Sequence, residues 1–536
     1  MDALPLAQLP LAEWAAYAAI PPCVNIAREC LDLALARGEG DRIAVVSERG
    51  ALTYAALAAH VTALAAHLAD LGIARGDRVL IRMWNCQEFV AAFLALAKIG
   101  AVPVLQNTAA GPPDIEYVLG HSDAVAAIAL DELAAPLRTL AQRYLPKGLV
   151  IARSTTPRQR EHRFEDMITS GVIATVDTLA DEPALMCYTS GTTGRPKGIV
   201  HAQRWIVARG EANRARVPPC DGDVVLAAGE WSFISLLGHN VLFALRNGVT
   251  AAAMEGHPSP EKFLDAIARF KVTVAHAVPT IYRRILAIDG IEQRYESSSL
   301  RGCNASGEAL GATTLQAWKQ RFGSDIWEHY GISEMQLAIS HGPRLPIKPG
   351  SIGVPWGADA RIMDDQHNQM PDGEIGELVI RADNPSFFLG YHKDAAKTAE
   401  VVHDGWFHTG DLARRDADGY FWIAGRNDDC FKSRGIFIVP VEIENALMQH
   451  PDVAEACVVP QKDSADGNLI RAFVALKGTA RGDATLAEQR PDELRTFLKA
   501  RLARNKIPHV FEIVAELPKS ATGKVLRREL IGRPSR

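Results

Sequence analysis

Apolar positions along this chain alternate between two rhythms. From residue 54 onward they fall at Leu57, Val61, Leu64, Leu68 and Leu71, a 4-3-4-3 spacing that makes one stripe of an α-helix. Thr53 stands where an N-cap belongs, and Gly72 stands where the helix should stop. Residues 79–83 then read as a strand, 87–98 as a helix closed by Gly100, and 102–105 as another strand. A strand–helix–strand rhythm of this kind predicts parallel sheet covered by helices. It recurs with a strand at 224–228, a helix at 260–270 and a strand at 272–275.

Near residue 350 the pattern changes. Residues 360–363, 376–381 and 420–424 read as short strands divided by turns such as Pro371-Asp372-Gly373, predicting a small β-rich subdomain. Beyond Gly425 the pattern is mixed: helices at 441–449 and 492–504, strands at 454–459, 471–476 and 510–514. That is enough material for a separate α+β domain of about a hundred residues. The expectation is an α/β protein. Residues 1–426 form a large N-terminal domain of parallel-rich sheets with helices plus the β-rich subdomain. Polar Asn427-Asp428-Asp429 forms a hinge, and 430–536 form a small mobile C-terminal cap.

Composition narrows the class. A chain of 536 residues is too long for one core, and 48% hydrophobic with 23% charged residues is an ordinary globular balance. A net charge of −5 gives no general attraction for nucleic acid or acidic membranes. The eight cysteines contain no C-x-x-C pair, so no zinc or redox pair is signalled. Cys187 and Cys303 read as small buried residues in strands. Asp2 and Glu13 argue against a secretory leader, and the apolar stretch 89–105 is interrupted by Lys98 and Gly100. A reducing, cytoplasmic setting is expected.

The chemistry concentrates in a few segments. Tyr188-Thr189-Ser190-Gly191-Thr192-Thr193-Gly194-Arg195-Pro196-Lys197-Gly198 packs three glycines and two cations among threonines and a serine, after an apolar run at 184–187. Exposed backbone N–H groups, hydroxyls and a lysine suit a polyphosphate, yet the Walker spacing is absent. Further along come Tyr330-Gly331-Ile332-Ser333-Glu334, Phe407-His408-Thr409-Gly410-Asp411, Gly425-Arg426-Asn427-Asp428-Asp429 and Pro518-Lys519-Ser520-Ala521-Thr522-Gly523-Lys524. In order and spacing these segments resemble the adenylate-forming superfamily of acyl-CoA synthetases, adenylation domains and luciferases. The resemblance covers nearly the whole chain.

That resemblance implies a two-step reaction: a carboxylate attacks the α-phosphate of ATP, then a thiol attacks the acyl-AMP. It places Thr189, Ser190, Gly191, Thr192, Thr193, Gly194 and Lys197 on the phosphates, and Gly307, Glu308, Tyr330, Gly331, Ser333, Asp411 and Arg426 around the rest of the nucleotide. Glu334 would hold Mg²⁺. Lys524 would be the catalytic cation of the first step, and Lys432, with Gly435 beside it, would serve CoA in the second after rotation about Asp428. Ser333 departs from the family's usual threonine. The acid pocket falls by family position on Trp231, Phe233, Ser235, Leu236, His276, Asn304, Ala305 and Met335. His239 and His276 read as packed, hydrogen-bonded histidines, because a carboxylate needs no general base at neutral pH. Asn304 reads as a partner for a substrate hydroxyl or amino group, or for a neighbouring backbone group.

Residues 300–310, Ser333-Glu334-Met335 and residues 435–438 are closest in pattern to the benzoate and 2-aminobenzoate CoA ligase branch. The expected function is an ATP-, Mg²⁺- and CoA-dependent acid–thiol ligase for an aromatic acid. The alternatives are a medium-chain fatty-acyl-CoA ligase, a stand-alone enzyme loading a carrier protein, and a luciferase-like oxygenase. The partners implied are the small acid and CoA, with a carrier protein as the alternative acceptor and a homodimer as the alternative assembly. No nucleic-acid or membrane role is indicated.

Overall fold

A computed structural model describes residues 20–156, 158, 160–189, 195–308, 310–434, 436–463, 467–477, 484–519 and 525–533. Two large sheets carry the N-terminal part. The first has the spatial order Gly390–Tyr391, Lys197–Ala202, Pro183–Thr189, Val102–Leu105, Arg78–Arg82, Ala124–Leu130, Leu149–Ala152 and Glu161–Arg163. Its last six strands run parallel, and Lys197–Ala202 turns back against Pro183–Thr189. The second sheet has nine strands. In it Ile326–Ile332, Gly302–Ala305, Val274–Ala277, Val224–Ala228, Thr250–Ala252 and Ile43–Ser47 are parallel neighbours, with an antiparallel hairpin at each end. The expected parallel strands and covering helices are thus present. The strand read at 272–275 runs instead from Val274 to Ala277.

The helix Tyr54–Asp70 buries Leu57, Val61, Leu64 and Leu68, as their spacing requires. Thr53 caps it, its side chain accepting from the Ala56 N–H at 3.1 Å. The helix Gln87–Lys98 is buried on every side from Phe89 to Lys98. Lys98 survives burial because Nζ donates to Thr175 Oγ1 at 2.7 Å and lies 3.6 Å from Asp32. No helix among the described residues is long and apolar enough to cross a membrane.

An antiparallel subdomain follows, built from Ala360–Met363, Gly376–Arg381, Val402–His403, Trp406–Arg415 and Phe421–Arg426. After the single turn Asn427–Asp429 comes a small α+β unit. It holds the hairpin Phe431–Ser433 and Ile436–Ile438, the helix Pro440–Met448, the strands Val453–Asp463, Gly467–Leu476 and Val510–Val514, and the helix Ala484–Lys499. It has its own apolar cluster around Ile443, Leu447, Val474 and Leu494. The helix read at 492–504 begins eight residues earlier and ends at Lys499, running through Pro491. The chain is therefore a large N-terminal domain of mixed sheets with a small C-terminal domain.

Two stability outcomes follow from named groups. Thr53→Ala removes the cap and should cost about 1 kcal/mol, read as a lower urea midpoint. The buried Glu328 carboxylate accepts from the Leu310 N–H at 3.1 Å. Burial pushes its pKa from 4.5 up to about 7. The folded value exceeds the unfolded one, so this stabilisation is full below about pH 4.5 and is lost as pH rises through about 7. Glu328→Gln cannot ionise and should gain about 2 kcal/mol on the parent between pH 5 and pH 8. Parallel pH curves for the two proteins would contradict the assignment.

Candidate active site

The site lies where the two large sheets and the β-rich subdomain meet. Thr189 ends one strand and Lys197 opens the next, and the two are paired across the hairpin. The glycine-rich turn between them includes Ser190, Gly191, Thr192, Thr193 and Gly194, which lie outside the described residues. Lys197 Nζ sits 5.3 Å from the centre of the Tyr391 ring. The Tyr391 hydroxyl in turn donates to Glu334 Oε1 at 2.6 Å. Burial raises the Glu334 pKa, opposed by the Tyr391 bond and by Lys197 and Arg426. Tyr391 had no mark in the sequence; only the pairing of Gly390–Tyr391 with residues 199–200 brings it here.

A second group gathers around Asp411. Tyr330 donates from its hydroxyl to Asp411 Oδ2 at 2.6 Å, and Arg426 Nη1 reaches Oδ1 at 3.2 Å. Arg426 also donates to the Thr409 carbonyl at 2.9 Å. Three motifs far apart in the chain thus make one hydrogen-bonded unit. Gly331 is obligatory: a Cβ there would lie 1.8 Å from the Gln336 carbonyl oxygen. Ser333 offers its carbonyl to His201 Nε2 at 2.8 Å. Gly307 has φ +92°, a value that favours glycine. Glu308 accepts from Thr280 Oγ1 and from Arg283 at 2.7 and 2.6 Å.

The cleft beside these groups is lined by Thr189, Phe233, Ser235, Gly307, His329, Gly331, Ser333 and Gln336, among others. Of the residues read as acid pocket, Phe233 and Ser235 line this cleft. Trp231, Leu236, Ala305 and Met335 do not line it; they are buried in the hydrophobic core behind. Trp231 turns inward because the core satisfies both its ring and its N–H. Its Nε1 donates to Asn240 Oδ1 at 2.6 Å, and its ring meets Phe89 edge-on. Cys187 and Cys303 are buried as expected, and burial pushes both thiols up to about 12.

His276 and Asn304 line a smaller cavity behind the cleft, together with His239 and Arg216. The structure pairs Asn304 with two buried side chains. Its Oδ1 accepts from the buried Arg216 guanidinium at 2.9 Å, and its carbonyl accepts from the Tyr282 hydroxyl at 2.8 Å. His239 and His276 are packed as expected, but their hydrogen bonding is incomplete. His276 Nε2 meets Ser306 Oγ at 3.0 Å, while His276 Nδ1 and His239 Nε2 have no partner among the described residues. His329 joins them, its ring centre 4.9 Å from His276 and 5.1 Å from His239. Burial, then the neighbouring Arg216 charge, lowers His276 to about 3. Burial and the same neighbours hold His239 and His329 well below the ordinary range. All three are neutral imidazoles near pH 7.

In the C-terminal domain Lys432 is exposed on its hairpin, and its carbonyl accepts from Asn468 Nδ2 at 3.3 Å. Asp428 is exposed in the connecting turn, 3.7 Å from Arg426. Gly435 and Lys524 lie outside the described residues.

Comparison with known proteins gives the lineage. The family described as AMP-binding enzyme matches residues 34–392, and the AMP-binding enzyme C-terminal domain matches 442–524. A 3-hydroxybenzoate–CoA ligase of Aromatoleum sp. (strain CIB) is 32% identical over 95% of this chain and 97% of its own. A benzoate–CoA ligase of Thauera aromatica is 32% identical over 95% and 96%. The crystal structure of the anthranilate CoA ligase AuaEII with anthranoyl-AMP superposes at TM-score 0.88, with 30% identity over 96% of this chain and 98% of that one. A benzoate CoA ligase from Burkholderia xenovorans LB400 gives 0.83, with 30% identity over 94% and 99%. Matched family, shared fold and converging motifs together place this chain in the AMP-binding enzyme family, as an acyl- or aryl-CoA ligase that joins an acid to a thiol.

Proposed function

We propose that this enzyme activates a benzoate-like aromatic acid as its acyl-AMP and passes the acyl group to free CoA. The observation that carries the reading is the cleft itself. Its wall includes the apolar Phe233 and Ile234 together with Thr189 and Ser333 of the phosphate and nucleotide motifs. The relatives named for benzoate, hydroxybenzoate and anthranilate support the aromatic class.

The first step joins two anions. Lys197 and the hairpin turn receive the departing pyrophosphate. Tyr330, Asp411 and Arg426 hold the nucleoside, with Asp411 accepting from ribose hydroxyls and Arg426 fixing the Asp411 carboxylate. To Lys524 falls the role of the cation shared by the attacking carboxylate oxygen and the α-phosphate. One such charge pair at about 4 Å and an effective dielectric of about 20 is worth roughly 4 kcal/mol. Glu334 fits Mg²⁺: it is an oxygen donor whose charge burial disfavours and a cation would restore. Bound there, the ion would neutralise phosphate charge. In the second step the C-terminal domain turns about Asp428, withdrawing Lys524 and presenting Lys432 and Gly435 to CoA.

Lys524→Ala should lower adenylate formation about a thousandfold while ATP still binds. Lys432→Ala should spare pyrophosphate release and slow thioester formation. Equal loss of both half-reactions in either variant would reject the division of labour. The substrate reading is tested by following pyrophosphate release and acyl-CoA formation with benzoate, aminobenzoates, hydroxybenzoates and C4–C12 fatty acids. Turnover of aryl acids to aryl-CoA with release of AMP is expected. Exclusive turnover of fatty acids, or adenylate that CoA does not discharge, would overturn it.

A further inference from the structure

Three histidines gather on the β-rich subdomain, and none of them lines the cleft described above. His403 ends the short strand Val402–His403, and His408 lies on Trp406–Arg415, the strand paired with it. His403 stands opposite Trp406, so side-chain alternation puts His403, Trp406 and His408 on one face. His367 comes from the turn after Ala360–Met363, where Asp364 accepts from the Gln366 and Asn368 N–H groups at 2.9 and 2.8 Å. The His403 and His408 rings stack with centres 3.9 Å apart, and the His367 ring lies 5.5 and 5.3 Å from them. One ring nitrogen of each histidine lies within 4.8 Å of the other two.

The rings are held in the way metal ligands are held. His408 Nδ1 is 2.9 Å from Glu377 Oε2. A carboxylate only accepts, so Nδ1 carries the proton and Nε2 keeps its lone pair. That Nε2 is buried and has no hydrogen-bond partner among the described residues. Glu377 is itself fixed, because its Oε1 accepts from the Gly410 N–H at 3.1 Å. Asp404 Oδ2 stands 3.1 Å from His403 Nδ1 and 3.4 Å from His367 Nδ1. Among the described residues no lysine or arginine pairs with Glu377 or Asp404. A carboxylate behind each imidazole is the usual support of a metal-bound histidine. A second cluster, His450, Asp452 and Glu493, lacks this character: Arg490 already meets both of its carboxylates, at 2.8 and 2.6 Å.

We propose that His367, His403 and His408 bind one zinc-class divalent cation, with solvent completing a tetrahedron. Imidazole nitrogen suits zinc and its first-row neighbours, whereas Mg²⁺ and Ca²⁺ require oxygen ligands. The site therefore differs in kind from the Mg²⁺ position at Glu334. Zinc–nitrogen bonds of about 2.0 Å put two ligands of one tetrahedral ion about 3.3 Å apart. His367 and His403 are partly exposed and can turn to close that distance, while His408, only 11% exposed, is the fixed member. The bound ion would tie the 364–369 turn to the 402–408 hairpin, next to the strand residues that lead to Asp411. Metal binding here is independent of which acid the enzyme activates.

Untagged, chelator-treated full-length enzyme is titrated calorimetrically with ZnCl₂ in excess MgCl₂. One zinc ion per chain should bind at micromolar concentration or below. His367→Ala and His403→Ala should each weaken binding by about tenfold or more. Zinc should raise the thermal midpoint of the parent by about 3 °C and leave that of the two variants unchanged. Zinc K-edge absorption of the loaded parent needs no variant and should show imidazole nitrogens at about 2.0 Å. No binding at micromolar zinc, displacement by Mg²⁺, full affinity retained in either variant, or an oxygen-only shell would each overturn the inference.

Discussion

The Tyr330–Asp411–Arg426 chain is the interaction on which the site depends. Tyr330 belongs to the nine-stranded sheet, whereas Asp411 and Arg426 sit on paired strands of the β-rich subdomain. A hydrogen bond to a charged acceptor is worth about 2 kcal/mol, and this one spans two sheets. It fixes the angle at which the subdomain meets the cleft. Because Arg426 immediately precedes the turn Asn427–Asp429, the same contact sets where the C-terminal domain begins its path. The contact between the two sheets and the start of the C-terminal domain thus share one set of atoms.

Around that anchor the site divides by polarity. One side gathers Lys197 beside Tyr391, Tyr391 on Glu334, and Tyr330 and Arg426 on Asp411. On the other side Phe233 and Ile234 line the cleft together with His329 and Gln336, and Arg216 is held by Asn304, Ser340 and the His341 carbonyl.

Stability and function draw on the same strand ends. Glu328, His329 and Tyr330 are consecutive: a buried acid, a buried base without partners and a phenol bonded to a carboxylate. Each carries a burial cost that hydrophobic residues would avoid. Such concentration at the end of a parallel strand is where ligand clefts form in open α/β sheets.

The chain's own pattern determined the helix Tyr54–Asp70, the alternating strands and helices, the change of character near residue 350 and the α+β tail. Those depend on short-range periodicity and on residues such as Thr53 and Gly72, which act on their immediate neighbours. The motifs that mark the family were also legible, because they set particular residues in fixed order and spacing. Tertiary structure alone decided the rest. Tyr391 reaches Glu334 through a two-stranded pairing that no local pattern announces. Trp231 and Met335 are buried in the hydrophobic core by strand register and helix packing. Arg216, His239, His276 and His329 meet from four separate elements, and which face of a strand points into a cavity is fixed only when its neighbours are in place. Periodicity specifies what a residue can be; long-range packing specifies what it faces.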